Sequence, residues 1–149
     1  MIDAHTHCFP PEISKDVHAW AEKYKEPHWL QLVAPKGKQS LQGWASLEMT
    51  LRAMDRAGIE KSILLGWYWQ QKATCIRQNE LIHDWLLSAP DRFIGFASIY
   101  PQDDPITQLE RAQEMGFRGV GELHPQLQKY SKYKAEWRAL AEWCSRRRW

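Results

Sequence analysis

The sequence predicts an α/β fold. Short apolar runs rich in β-branched residues alternate with longer segments whose apolar residues repeat at helical spacing. Parallel strands require a crossover of a dozen or more residues, usually a helix, so this alternation indicates βα units and a parallel sheet. The length of 149 residues, with 44% hydrophobic and 26% charged residues, is that of one globular domain.

The first half of the chain begins with a strand predicted over 1–5. A helix follows over 46–57, where apolar residues recur every three to four positions. Ser46 can cap its first turn and Gly58 can close its last. The β-rich run 59–67 predicts the second strand.

The second half repeats the alternation. A helix must end before Pro90, since proline cannot continue it. We expect a third strand over 93–100, a helix that opens at Asp104, and a fourth strand over 117–123. A last helix is expected around residues 137–144.

An insertion spans residues 9–45, between the first strand and the first predicted helix. Ile13, Val17, Trp20 and Tyr24 recur there at helical spacing. We expect a helical flap above the carboxyl edge of the sheet, where ligands bind in such folds. The alternative is a helix that packs only to bury core surface.

Composition excludes several classes of protein. Twenty Lys and Arg against eighteen Asp and Glu leave a formal charge of +2, too small to predict nucleic-acid binding. No apolar run approaches the ~20 residues needed to cross a bilayer. Three widely spaced cysteines fit reduced thiols rather than a disulfide framework. We therefore expect a cytoplasmic protein that binds neither nucleic acid nor membrane.

Two histidines stand two residues apart at the end of the first predicted strand. Residues i and i+2 of an extended chain point to the same face, ~6.6 Å apart, so His5 and His7 can converge on one cation. The carboxyl end of a strand is where an α/β barrel collects its reactive groups. Their alternative role is as ordinary surface or core histidines. Cys8 is a potential soft ligand, but a small buried thiol is the favoured interpretation.

The fourth predicted strand ends in a second polar group, Glu122 and His124. Strand alternation places the two side chains on one face, and glycines at 119 and 121 allow close approach of backbone or ligand. Glu122 could face the histidine pair and bind metal, or simply face solvent. His124 could join the ligands or orient the loop before Pro125.

Four segments carry a family resemblance in chain order. These segments are residues 2–7, 54–62, 90–98 and 116–125. They resemble successive landmarks of the amidohydrolase superfamily, and most of all the branch that contains aminocarboxymuconate semialdehyde decarboxylase and many metal-dependent hydrolases.

The resemblance implies a (β/α)8 TIM barrel with a metal site. His5 and His7 match the family's first-strand ligands, and Glu122 is similar to the fourth-strand carboxylate of TatD-type deoxyribonucleases. Such barrels typically run to ~250 residues, whereas only about four βα units are found here. We therefore expect 1–149 to be the N-terminal half of a hydrolase barrel, truncated before the later ligand histidines and the catalytic aspartate.

The resemblance also implies the activity. We expect a metal-dependent hydrolase that cleaves C–N or ester-type bonds with a divalent cation, most plausibly zinc, and that is weakly active or inactive as this chain. Glu122 would be a ligand or, less favourably, a substitute base. The alternatives are a metal-dependent decarboxylase of the same superfamily and a non-enzymatic, self-associating fragment.

Aromatic residues suggest the class of substrate. Trp67, Tyr68 and Trp69 follow the second predicted strand, and Trp20 and Trp29 of the insertion could lie above them. These side chains could line a pocket for a small aromatic or apolar substrate. Alternatively they bury core surface, as large aromatics usually do. Assembly as a homo-oligomer is a further possibility.

Overall fold

The computed structural model describes residues 1–40, 42–131 and 135–149. It confirms the predicted α/β class, with a parallel sheet in which each strand lies beside the next one along the chain. The strands are β1 Ile2–Thr6, β2 Lys61–Leu65, β3 Phe93–Ala97 and β4 Gly119–Val120. Because all of them run in the same direction, their carboxyl ends meet at one edge of the sheet, which is the edge that carries ligand sites in such folds.

Helices connect and cover these strands. In chain order they are α1 Pro11–Lys15, α2 Val17–Tyr24, α3 Pro27–Val33, α4 Leu47–Ala57, α5 Lys72–Ser88, α6 Pro105–Glu114 and α7 Ala135–Arg147. None of the helices in the described ranges is long and apolar enough to span a membrane.

The helix ends follow the predicted signals. The Ser46 hydroxyl accepts a hydrogen bond from the Met49 N–H at 3.2 Å, and Gly58 closes α4 in the left-handed region with φ 64°. Asp104 caps α6 by accepting from the Thr107 N–H at 3.3 Å. These local contacts fix where α4 and α6 begin, and therefore how each strand is followed by its helix.

The main core lies between the sheet and α4 to α7. It contains buried apolar side chains from every one of these layers, including Met54, Leu64, Ile82, Leu109 and Leu140. Burial of this apolar surface is the main term that holds the helices on the sheet.

The segment between β1 and α4 does not form the single helix that its apolar stripe predicts. The stripe from Ile13 to Tyr24 is broken at Asp16, whose backbone is extended with φ −155°. The Asp16 carboxylate accepts a hydrogen bond from the Ala19 N–H at 2.9 Å. An aspartate used as an N-cap starts a new helix, so the segment folds as three short helices instead of one.

A second core consists mainly of tryptophans. Trp20, Trp29 and Trp69 are buried, with neighbouring ring centroids 5.1 to 5.2 Å apart. These three tryptophans therefore bury core surface, which was the predicted alternative to lining a substrate pocket. This second core joins the three short helices to the loop after β2.

Strand β4 is shorter than the predicted run 117–123. Phe117 is fully buried before the strand begins, and β-pairing ends at Val120. Beyond it the Gly121 N–H donates to the Ala97 carbonyl at 3.1 Å, and the Glu122 N–H donates to the Gly66 carbonyl at 2.8 Å. The chain thus leaves β3 and crosses the sheet edge towards the end of β2.

Candidate metal centre

The two histidines of the first strand converge as predicted. Alternation on β1 places both rings on one face, and the His5 and His7 Nε2 atoms lie 3.1 Å apart. His5 is exposed, whereas His7 is half-buried. Two lone-pair nitrogens at this distance require a shared proton or a cation between them.

Glu122 reaches the histidines from the opposite edge of the sheet. Three strand spacings of about 4.8 Å would separate β1 from β4 in a flat sheet. The crossing of the chain after Val120 removes this gap, and Glu122 Oε1 lies 3.1 Å from His5 Nε2 and 3.8 Å from His7 Nε2. Within the described ranges, these three residues form the group whose ligand atoms all lie within 4.8 Å of one another.

The His7 ring is held in the tautomer that a metal ligand needs. His7 Nδ1 lies 3.1 Å from the Leu65 carbonyl, to which it donates, so Nε2 carries the free lone pair. Burial lowers the pKa of His7 to about 4, an effect that the Leu65 hydrogen bond opposes and His5 reinforces. At neutral pH this imidazole is therefore uncharged and able to bind a cation.

The three donors fit a divalent metal. Two ligands that each lie about 2.1 Å from a tetrahedral ion are about 3.4 Å apart, close to the separations found among His5, His7 and Glu122. Burial also raises the pKa of the Glu122 carboxyl, although His5 opposes this. A cation at this position would offset the cost of the half-buried carboxylate.

His124 lies outside this group. Its ring packs against Tyr68, with centroids 5.0 Å apart, and its backbone N–H donates to the Gln128 side chain at 2.9 Å. The alternation predicted to align it with Glu122 does not apply, since β4 ends at Val120. The structure thus brings together three of the four predicted metal residues.

An open cavity of about 650 Å³ adjoins the three donors. Trp67 and Tyr68, from the loop after β2, line one side, and Leu32 of α3 lines it from the segment between β1 and α4. Val120 and Leu123 contribute further apolar surface. Trp67 and Tyr68 thus line the cavity, although Trp67 is only 6% exposed and also belongs to the second core.

Cys8 is a buried thiol, as the sequence analysis favoured. It is 5% exposed, and its sulfur lies 3.2 Å from the Thr50 hydroxyl. Burial raises the pKa of Cys8 to about 11, although the Thr50 hydrogen bond opposes the shift. A thiol with this pKa is a poor ligand and nucleophile at neutral pH.

Sequence reasoning missed Gln128, which ties the loops around the cavity together. Its amide nitrogen donates to the Ile99 carbonyl at 2.9 Å and to the Trp69 carbonyl at 3.3 Å, while its oxygen accepts from the His124 N–H. Gln128 is 1% exposed, so these bonds are shielded from water. A lone glutamine in a loop carries no local signal of this role.

Comparison with known proteins decides the family. A model of the amidohydrolase family matches residues 2–149. The chain belongs to the amidohydrolase superfamily. The predicted resemblance is thereby confirmed, and the donor cluster occupies the edge of the sheet where the (β/α)8 barrel has its active site. No curated protein matches this chain significantly in sequence.

The solved structures similar to this chain include the following three. A 5-carboxyvanillate decarboxylase from Novosphingobium aromaticivorans, with manganese and 3-methoxy-4-hydroxy-5-nitrobenzoic acid, has a TM-score of 0.72 at 20% identity over 99% of this chain and 48% of that chain. A 4-oxalomesaconate hydratase from Rhodopseudomonas palustris has a TM-score of 0.67 at 20% identity, covering 99% and 49%. A dihydroxybenzoic acid decarboxylase from a Polaromonas species, with manganese and the inhibitor 2-nitroresorcinol, has a TM-score of 0.59 at 22% identity, covering 98% and 46%.

These likenesses concern the fold. The chain spans about half the length of each of these proteins and matches part of a TIM barrel. The sheet of four parallel strands with its helices corresponds to the four βα units expected from the sequence.

Proposed function

We propose that His5, His7 and Glu122 bind a divalent metal and that this chain carries the N-terminal part of the site of a metal-dependent decarboxylase for a small aromatic acid, weakly active on its own. The observation that carries the proposal is the convergence of three ligand atoms within 4.8 Å at the mouth of an aromatic-lined cavity. Two of the similar solved structures are decarboxylases with manganese and a substituted aromatic ligand, which supports this class of substrate.

The walls of the cavity would position the ring. Trp67 and Tyr68 offer flat apolar surfaces on which an aromatic substrate can stack. Leu32 and Leu123 line the same space and would displace water from the ring. A substrate held in this way presents its polar substituents to the side where His5, His7 and Glu122 lie.

The donor set decides which metals suit the site. Imidazole and carboxylate ligands bind zinc well and also accept manganese, the metal in the similar decarboxylases. When bound, the metal supplies a positive charge that orients and polarises the oxygen atoms of the substrate. His7 contributes by keeping a neutral, oriented imidazole, since its Nδ1 is bonded to the Leu65 carbonyl.

Hydrolysis is the second candidate function. The exposed His5 ring stands at the open mouth of the cavity, so water has access to the donor cluster. A hydrolase would use this water to cleave a C–N or ester-type bond. Decarboxylation instead breaks the bond between the ring carbon and the carboxyl group, releases carbon dioxide and places a proton on that carbon.

Metal binding is tested by calorimetry. Titrations of Mn²⁺ and Zn²⁺ into the wild type, His5→Ala, His7→Ala and Glu122→Gln should give tight binding only in the wild type. His124→Ala is the matched control, because His124 lies nearby but outside the cluster. Equal affinity in the wild type and the three ligand variants would contradict the proposal.

The reaction class is tested on the metal-loaded protein. Substituted hydroxybenzoic acids should release carbon dioxide without incorporation of oxygen from labelled water. Incorporation of that oxygen into a cleaved ester or amide would favour the hydrolase instead. No reaction of either kind, with metal bound, would contradict both candidates for this chain.

We further propose that residues 1–149 supply the N-terminal half of a barrel, with an insertion at about 9–45, and that the protein is cytoplasmic. Coverage of about half of each similar structure supports the first point. The cysteines Cys8, Cys75 and Cys144 are all free thiols, which supports a reducing compartment.

A further inference from the structure

The Glu26 carboxylate is buried in the segment between α2 and α3 and plays no part in the metal cluster. Its side chain has 0% exposure. Its Oε2 accepts a hydrogen bond from the Gln70 N–H at 2.8 Å, and its Oε1 accepts from the Gln71 N–H at 3.1 Å. Thr74 contributes a side-chain hydrogen bond to the same carboxyl. A buried carboxyl group that accepts this many hydrogen bonds is a specific structural tie.

These bonds join two parts of the chain that lie 44 and 45 residues apart. Glu26 directly precedes α3 as its N-cap residue, and Gln71 directly precedes α5 in the same position. The Gln71 side chain does not cap α5, so the Glu26 carboxylate bonds at that helix start instead. Negative charge is favoured there because the helix dipole is positive at its N-terminus.

The two joined parts both line the cavity. Helix α3 carries Leu32, and the loop that leads into α5 carries Trp67 and Tyr68. We infer that Glu26 is a positioning residue that fixes the spacing between the Leu32 wall and the Trp67–Tyr68 wall, and thereby the fit of an aromatic substrate. This inference rests on the proposed function, because it takes the cavity to be the substrate site.

Besides the Glu26 bonds, this junction has a bond from the Gln71 amide nitrogen to the Lys25 carbonyl at 3.5 Å and the apolar contacts of the tryptophans. Trp69 packs against Trp20 and Trp29 with tilted rings, 5.2 and 5.1 Å apart. Apolar contacts of this kind resist separation but set direction only weakly, whereas two hydrogen bonds to consecutive N–H groups set both distance and angle. Loss of the carboxylate would therefore loosen the spacing while leaving the tryptophan core in place.

Two substitutions separate the roles of volume and hydrogen bonding. Glu26→Gln keeps the size of the side chain and one carbonyl oxygen as an acceptor. Its amide NH₂ group is a donor, so it cannot accept the hydrogen bond of the second backbone N–H. Glu26→Leu removes both acceptors and leaves two buried N–H groups unpaired. His83→Ala is the control, since it removes another tie between elements, the bond of His83 Nδ1 to the Met115 carbonyl at 2.8 Å, away from the cavity.

The experiment compares these variants as full-length, Mn²⁺-loaded protein with 3-methoxy-4-hydroxy-5-nitrobenzoic acid as the probe. We expect Glu26→Leu to weaken probe binding about tenfold or more and Glu26→Gln to weaken it less, with Mn²⁺ affinity within about threefold of the wild type. Hydrogen exchange of the Gln70 and Gln71 amides should accelerate in both variants. His83→Ala should lower stability without weakening probe binding and without accelerating exchange of the Gln70 and Gln71 amides.

Two results would overturn the inference. In the first, both Glu26 variants bind the probe as tightly as His83→Ala does. In the second, the Gln70 and Gln71 amides exchange hydrogen at the same rate in the Glu26 variants as in the wild type. If the wild type binds Mn²⁺ and the probe and the Glu26 variants bind them equally well, only this inference fails. If the wild type binds neither, the proposed function is wrong and the inference fails with it.

Discussion

The imidazole of His7 lies flat against the indole of Trp67, with ring centroids 4.3 Å apart and an interplanar angle of 18°. His7 is thereby held from two sides, by this stacking and by the bond of its Nδ1 to the Leu65 carbonyl. His7, which directly follows β1, is thus oriented by residues at the end of β2.

Substitution of Trp67 should affect both stability and metal binding. Trp67→Ala removes a side chain that is 6% exposed and should lower the free energy of unfolding by about 3–5 kcal/mol. Trp67→Phe keeps an aromatic face for His7 and should retain more of both properties. Urea unfolding and Mn²⁺ calorimetry measure the two effects. Equal Mn²⁺ affinity in the Ala and Phe variants would show that the stacking does not orient His7.

Gly66 directly follows β2, at the start of the loop that carries Trp67 and Tyr68, and the space beside it is too small for a side chain. A Cβ on Gly66 would lie 2.0 Å from the Ser98 Oγ, which also donates to the Trp67 carbonyl at 2.9 Å. Gly66→Ala should therefore destabilise the fold by about 1–3 kcal/mol through overpacking. Gly43→Ala is the control, since a Cβ there meets nothing within 4 Å. Denaturant unfolding should separate the two variants, and equal midpoints would contradict the prediction.

Glu26 should make stability depend on pH. Burial raises the pKa of its carboxyl to about 7 from the ordinary value of 4.5, and the hydrogen bonds from Gln70, Thr74 and Gln71 oppose the rise. The folded state therefore binds this proton more tightly than the unfolded chain. The stabilising contribution is complete below pH 4.5 and is lost as the pH rises through about 7.

Glu26→Gln removes this titration and serves as the reference. The unfolding free energy of the wild type minus that of Glu26→Gln should fall by about 3 kcal/mol as the pH rises across this range. Urea unfolding of both proteins between about pH 4 and pH 8 measures the difference. A difference that is constant or that rises with pH would contradict the assignment to Glu26.

The three free thiols should react in a fixed order. Burial raises the pKa of Cys8, Cys75 and Cys144, but Cys144 is half-buried and Arg147 opposes its shift, whereas Cys8 and Cys75 are buried. Because the thiolate is the reactive form, iodoacetamide should label Cys144 first in the folded protein. Mass spectrometry of timed digests identifies the labelled site. Earlier labelling of Cys8 would show that the thiol beside the metal cluster is accessible.

Local signals made the framework predictable. Ser46 marks the start of α4 and Gly58 marks its end, each through contacts with residues a few positions away. The spacing of His5 and His7 places both rings on one face of the extended chain. Such features depend on neighbouring residues and can be read from the sequence. Glu122 was expected at the same edge of the sheet because it follows a parallel strand, whereas its contact with the histidines depends on the crossing of the chain after Val120.

The remaining features depend on contacts between distant residues. Glu26 bonds to backbone groups more than forty positions away, and Gln128 bonds to carbonyls of two other loops. Neither has a periodicity or a neighbouring motif that marks it. The early end of β4 likewise arises because Glu122 hydrogen-bonds to Gly66, beside β2, which breaks the alternation that would have aligned His124.

The tryptophan core should affect the fluorescence of this protein. Trp20, Trp29 and Trp69 are in near contact, and Trp29 lies 6.2 Å from Trp67, the indole that faces His7. Indoles at these separations share absorbed light by rapid energy transfer. Excitation anywhere in the cluster can therefore be quenched at Trp67, so the natural fluorescence of the unlabelled chain should report when the neighbouring cavity is filled.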